Sequence, residues 1–128
     1  MSENMVRQKS LDFALRIVKL NHFLRSEKKE FVLSKQILRS GTSIGANVEE
    51  SVYAQSSLDF ISKLSIALKE TAETEYWLKL LTSAGYISER EYMSLFDDAE
   101  AIRKLLISIV NTCKRNYYKK KGKKDDNS

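Results

Sequence analysis

The chain predicts an all-α fold, an antiparallel up-down-up-down four-helix bundle, on three observations. It has no proline, four glycines and 30% charged residues in 128 positions, a mixture that favours long helices over a sheet. Apolar residues recur at alternating steps of three and four in four separate stretches, the spacing of a buried helix stripe. The breaks between those stretches are short, which makes consecutive helices antiparallel neighbours.

The first helix is expected from about Met5 to Ser26, with Phe13, Ile17, Leu20 and Leu24 inward and Ala14 and Val18 widening the stripe. Glu27-Lys28-Lys29-Glu30 then breaks the pattern. The second helix is expected to start at the N-cap Ser34, with Leu33 and Leu38 placed as a hydrophobic staple. It runs to about Tyr53 or Ala54 and turns Ile37, Ile44, Val48 and Val52 to the core. The third begins after Ser56 or Ser57 and carries Phe60, Leu64, Ala67, Thr71, Thr74, Leu78 and Leu81 as its seam. Gly85 sits where a left-handed C-terminal cap belongs. The fourth opens on the capping box Ser88-Glu89-Arg90-Glu91 and carries Tyr92, Leu95, Ala99, Ile102, Leu106, Ile109 and Cys113 inward. It is expected to end near Tyr118. Residues 1–118 therefore read as one bundle domain and 119–128 as a disordered basic tail, too poor in apolar residues to order itself.

Composition bounds the function. At 42% hydrophobic content the chain fills one core, and no apolar run approaches the roughly 20 residues of a bilayer span. The absence of an apolar N-terminal segment and the lone Cys113, which excludes an internal disulfide and reads as a core residue, point to a cytoplasmic protein. His22 is the only histidine and lies off the centre of its helix seam, a surface or edge position. A His-based metal site or a Ser-His-Asp triad therefore has little support. There is no strand to precede a glycine-rich phosphate loop, and no Glu-x-x-His of the di-iron bundles. The expectation is a non-enzyme with no cofactor and no metal.

Within the second helix, Arg39, Ser43, Asn47 and Glu50 fall within about a quarter of the circumference and form one polar stripe. Its flanks are small: Ser40, Gly41, Thr42, Gly45 and Ala46. Interior glycine costs about 1 kcal/mol relative to alanine, so something is expected to pack closely there, a neighbouring helix or a second subunit. On the third helix Glu70 and Glu73 lie between Ile66 and Trp77. They read either as a solvated acidic edge or as partners of Arg39 in a charged network at a helix or subunit junction. Tyr76 and Trp77 are adjacent and project about 100° apart, so at least one should leave the core.

Arg-x-x-x-Ser-Ile-x-x-Asn-x-x-Glu at residues 39 to 50 resembles the signature of the bacterial intervening-sequence four-helix-bundle family, encoded within inserts of 23S ribosomal RNA genes. The run from Asp59 to Leu78 and the turn Leu81-Thr82-Ser83-Ala84-Gly85-Tyr86-Ile87 are similar to that family's third helix and following turn. The accessory variability determinants of diversity-generating retroelements are its relatives. Many members carry glycine where Ser51 stands and Gly-Ser where Lys69-Glu70 stands. The resemblance implies a homopentamer of four-helix bundles. In the retroelement branch it further implies a basic surface that engages a reverse transcriptase and nucleic acid. The branch stays open.

Charge is unevenly placed. Residues 1–39 hold nine Lys/Arg against four Asp/Glu, residues 40–113 hold six against eleven, and residues 114–128 hold seven against two. The excess lies in Lys114, Arg115, Lys119, Lys120, Lys121, Lys123 and Lys124. These lysines could displace counterions from phosphates while Tyr117 and Tyr118 stack on unpaired bases of RNA or single-stranded DNA. The same run also reads as a solubilising tail on a protein–protein adaptor. No base-reading motif accompanies it.

Overall fold

A computed structural model describes residues 2–126, with side chains as far as Lys123. Four helices follow in order: α1 (Ser2–Ser26), α2 (Leu33–Ser51), α3 (Ser57–Ser83) and α4 (Glu89–Asp126). Helix α1 packs on α2 and α4, and α3 packs on α2 and α4, while diagonal pairs make no backbone approach. That square of neighbours is the antiparallel up-down-up-down bundle. The α2–α3 pairing is the most intimate and α1–α4 the least.

The core follows the period of each seam. Phe13, Ile17 and Leu24 of α1 meet Ile37, Ile44 and Val48 of α2, Leu64, Leu78 and Leu81 of α3, and Leu95, Ile102 and Leu106 of α4. Val18 and Val52 depart from the expectation, each 48% exposed. Val18 lies about 100° round from the central Ile17, outside the strip that α2 and α4 cover. Val52 follows the last residue of α2, where the chain already turns.

Two helix boundaries rest on the caps expected, at Ser88 and Gly85, and a third is capped by Ser56, one of the two serines after which α3 was expected to begin. Ser56 Oγ accepts from the Asp59 N–H at 3.0 Å, and Ser88 Oγ from the Glu91 N–H at 3.1 Å. Gly85 takes φ +84 after α3, the left-handed backbone glycine adopts without strain. The start of α2 is different. Ser34 is not its cap but lies buried inside the first turn, with Oγ donating to the Glu30 carbonyl at 2.8 Å. The Glu30 carboxylate does the capping, accepting from the N–H groups of Val32, Leu33 and Ser34 at 3.3, 3.0 and 2.8 Å. Desolvation pushes the Glu30 carboxyl up, yet these backbone donors outweigh it and hold it below its ordinary value. Lys29, just before it, takes φ 53, a left-handed conformation unusual for a side chain with a Cβ.

Helix α1 starts at Ser2 rather than Met5, and it buries Val6, which the expected seam left out. Helix α4 continues past Tyr118 to Asp126 in place of the disordered tail expected from residue 119; residues 127–128 lie outside the described residues. Lysine propagates a helix well, no proline stops it, and cations near a helix C-terminus favour the macrodipole. No helix is long and apolar enough to cross a membrane among the described residues.

Candidate functional site

The signature helix α2 is anchored on both sides. Toward α1, its small residues let the backbones close up. A Cβ on Gly41 would stand 2.8 Å from Ile17 Cγ1, and one on Gly45 would stand 3.4 Å from the Ser10 carbonyl oxygen. A neighbouring helix is therefore the close-packed partner that these glycines imply. Toward α3, the buried Thr74 hydroxyl donates to Ser40 Oγ at 2.9 Å.

Arg39 reaches across α2–α3 to both carboxylates. Its Nη1 lies 3.4 Å from Glu70 Oε2, and its Nη2 donates to Glu73 Oε1, which also accepts from Trp77 Nε1 at 3.3 Å. Two carboxylates thus face one guanidinium. Burial, then the nearby Glu73 charge, raises the Glu70 carboxyl above its ordinary value. Burial also works to raise Glu73, but the hydrogen bonds from Arg39 and Trp77 outweigh it and lower the carboxyl. The Glu73 bond chiefly raises the Arg39 guanidinium further.

The rest of the expected stripe does not join this cluster. Ser43 Oγ donates to the Arg39 carbonyl at 2.6 Å, and Asn47 Nδ2 to the Ser43 carbonyl at 2.8 Å. Both back-bond within α2. Glu50 instead faces Lys63 of α3 at 3.8 Å. One helical face therefore carries three separate arrangements, because residues four apart on a helix bond more readily to its own carbonyls than along the stripe.

Sequence reasoning missed that each neighbouring helix pair is clamped by an arginine. Arg7 grips Glu49 across α1–α2 at 2.8 and 3.2 Å. Arg103 grips Glu75 across α3–α4 at 3.0 Å, and Arg16 grips Asp98 across α1–α4 at 2.7 Å. With Arg39 on α2–α3, the four contacts form a closed girdle around the bundle.

The C-terminal cations occupy a different part of the molecule. Lys114, Arg115, Lys119, Lys120, Lys121 and Lys123 are exposed along α4, while the Lys124 side chain lies outside those described. The two tyrosines part company. Tyr117 packs against the core, whereas Tyr118 is 63% exposed, the rings meeting edge-on at 5.3 Å. Asn111, Lys114, Arg115 and Tyr118 line one shallow hollow on the outer face of α4. On the core side of the same helix, burial and then the Glu3 charge push the Cys113 thiol up. His22 is exposed, and among the described residues no group of three or more His, Cys, Asp or Glu side chains could hold a metal. Tyr76 is 57% exposed while Trp77 stays half-buried against the core, so one of that pair does leave it.

A helical bundle girdled by ion pairs, with a signature stripe on α2 and an exposed cationic helix end, defines the class. The chain belongs to the 23S rRNA-intervening sequence protein family, whose profile matches residues 2–108. It is similar to a crystal structure of a protein with unknown function from the S23 ribosomal protein family of Bacteroides thetaiotaomicron. The two share 60% identity with a TM-score of 0.86, over 87% of this chain and 99% of that one. No functionally curated protein matches the chain.

Proposed function

We propose that the chain is a non-enzymatic, self-associating bundle that acts as a cytoplasmic binding scaffold for nucleic acid, RNA or single-stranded DNA, and/or for a reverse transcriptase. The observation that carries this reading is the outer face of α4, where Asn111, Lys114, Arg115 and Tyr118 share one exposed hollow and the lysines of 119–123 continue it. Cations there neutralise phosphates and Tyr118 offers a ring to an unpaired base.

Self-association draws support from an unpartnered apolar stripe on α1. Leu11, Leu15 and Val18 are each about half exposed, and Leu11 borders a groove whose opposite wall is Thr42, Gly45 and Ala46 of α2. The family resemblance implies that the assembly is a homopentamer. Such an oligomer presents several α4 ends together, so a strand spanning two of them gains avidity through effective concentration.

The same apolar stripe favours a second reading, a protein–protein adaptor whose lysines only solubilise it. Light scattering and an RNA titration at several salt concentrations separate the readings. The scaffold gives a mass several times 14.8 kDa and affinity that falls steeply with salt. An oligomer with no RNA binding at low salt is the adaptor. A clean monomer removes self-association.

A further inference from the structure

The least intimate of the four helix contacts, α1 against α4, opens into a cleft at the end of the bundle far from the α4 cations. Its floor is apolar, Leu20 and Ile87, both nearly buried. Two aromatic rings line it, Phe23 from α1 and Tyr86 from the α3–α4 turn. Its volume is about 790 Å³, within the range of small-molecule sites. Gly85 leaves the mouth open, since a Cβ there would meet nothing within 4 Å.

Its charged groups divide into committed and free. Arg16 is held by Asp98 at 2.7 Å and by Ser94 Oγ at 3.0 Å, so it serves as a fixed wall. Lys19 and Lys28 make no ion pair among the described residues, and Lys28 Nζ rests 5.8 Å from the centroid of the Phe23 ring. Glu91 is the one acid at the edge. A free cation parked on a half-exposed aromatic ring, beside a second ring and a second free cation, matches a ligand with a planar face and an anionic group. An acidic peptide would satisfy the lysines but leave the two rings without a planar partner.

We infer that this cleft binds one unpaired nucleotide of a single strand, the base against Phe23 and Tyr86 and the flanking phosphates against Lys19 and Lys28. The inference rests on the nucleic-acid reading above and places a second contact on the bundle. From Ser88 to Tyr118 the rise of α4 is about 45 Å, so a short oligonucleotide cannot touch both ends. Lys28 moves from the ring to a phosphate as the base enters, exchanging a cation–π contact for a charge pair.

The test titrates the isotope-labelled full chain with a 5′-phosphorylated uridine trinucleotide and follows backbone amide shifts by NMR. Shifts should cluster at Phe23, Gly85 and Ile87. Phe23→Ala with Lys19→Ala should weaken trinucleotide binding about tenfold, and Lys28→Glu, on an exposed loop, should do the same without touching the helices. Shifts confined to residues 111–123 would overturn the cleft while leaving the scaffold reading intact. No binding of the trinucleotide or of a long single strand would remove both. Uridine monophosphate binding as tightly as the trinucleotide would overturn the strand as the source, and an acidic peptide doing so would overturn nucleic acid as the ligand class.

Discussion

Arg103 on α4 holds the Glu75 carboxylate of α3 from one nitrogen, its Nε lying 3.0 Å from Oε1 and 3.2 Å from Oε2. Among the described residues Glu75 is the one buried carboxylate, 9% exposed, and Arg103 also faces Glu100 at 3.5 Å. Charge-assisted hydrogen bonds of this kind contribute about 1.5–3 kcal/mol when their geometry is kept. Glu75→Ala should therefore lower unfolding free energy by about 2 kcal/mol in urea denaturation. Glu75→Gln, which keeps the volume and one acceptor, should cost less. Equal losses would show that packing of the side chain, not its charge, holds α3 against α4.

Gly41 and Ile17 provide a test whose sign changes with the background. A Cβ on Gly41 would press on both Ile17 Cγ1 and Cγ2, at 2.8 and 2.9 Å, and Ile17 is wholly buried. Overpacking costs typically about 1–3 kcal/mol, against a helix-propensity gain of about 1 kcal/mol. Gly41→Ala should be destabilising by about 1 kcal/mol in the native background. In an Ile17→Ala background, where both Cγ atoms are gone, the same change should stabilise. Thermal melts of the four proteins measure the coupling.

The seams of all four helices were legible because a bundle repeats one local rule, the three–four step, for many turns. The cap made by the Ser88 hydroxyl was legible too, while the start of α3 was narrowed only to Ser56 or Ser57. The cap of α2 was not, since Glu30 acts from the loop through a long side chain and leaves Ser34 to be buried. Arg39 with Glu70 and Glu73 was readable as one of two alternatives, because both acids sit on one side of α3. Arg7–Glu49, Arg16–Asp98 and Glu75–Arg103 were hidden. Which residues meet across two helices depends on their relative register, and nothing local in either helix records it. Tyr117 and Tyr118 were likewise equivalent in composition, and only the position of the core separates them.

Arg39→Ala tests how much the signature contact stabilises. Its side chain is 48% exposed, so solvent screening limits the loss to about 1 kcal/mol. Without the guanidinium, Glu70 and Glu73 repel each other and both folded-state carboxyls move up. A carboxyl raised in the folded state adds stability that is present at low pH and lost as pH rises through its folded value. The deficit of the variant against the native protein should thus grow between pH 4 and pH 7. A deficit independent of pH would mean that Arg39 acts through packing alone.

Glu30 carries the opposite pH dependence. Its folded-state carboxyl is lowered from 4.5, so its contribution is present above that value and lost as pH falls through the folded one. Glu30→Gln should cost about 1 kcal/mol at pH 7, the usual scale of a lost cap. Its stability should converge on that of the native chain as acid protonates Glu30. Melting curves from pH 6 down to pH 3 read this directly.

Tyr117 and Tyr118 separate stability from binding within two adjacent residues. Tyr117 packs on the core, so Tyr117→Ala should lower the melting temperature and affect single-strand affinity only through the fold. Tyr118 is exposed in the hollow with Lys114 and Arg115, so Tyr118→Ala should leave the melt unchanged. Stacking on one base contributes about 1–3 kcal/mol, and that loss should appear for a single strand but not for a duplex, whose bases are already stacked. Removing residues 119–128 should instead weaken both, and flatten the salt dependence by about 0.7 per lost phosphate contact on a single strand. Full single-strand affinity in both variants would exclude α4 as the binding element. The cleft beside Phe23 and the basic residues of α1 would then carry the contact.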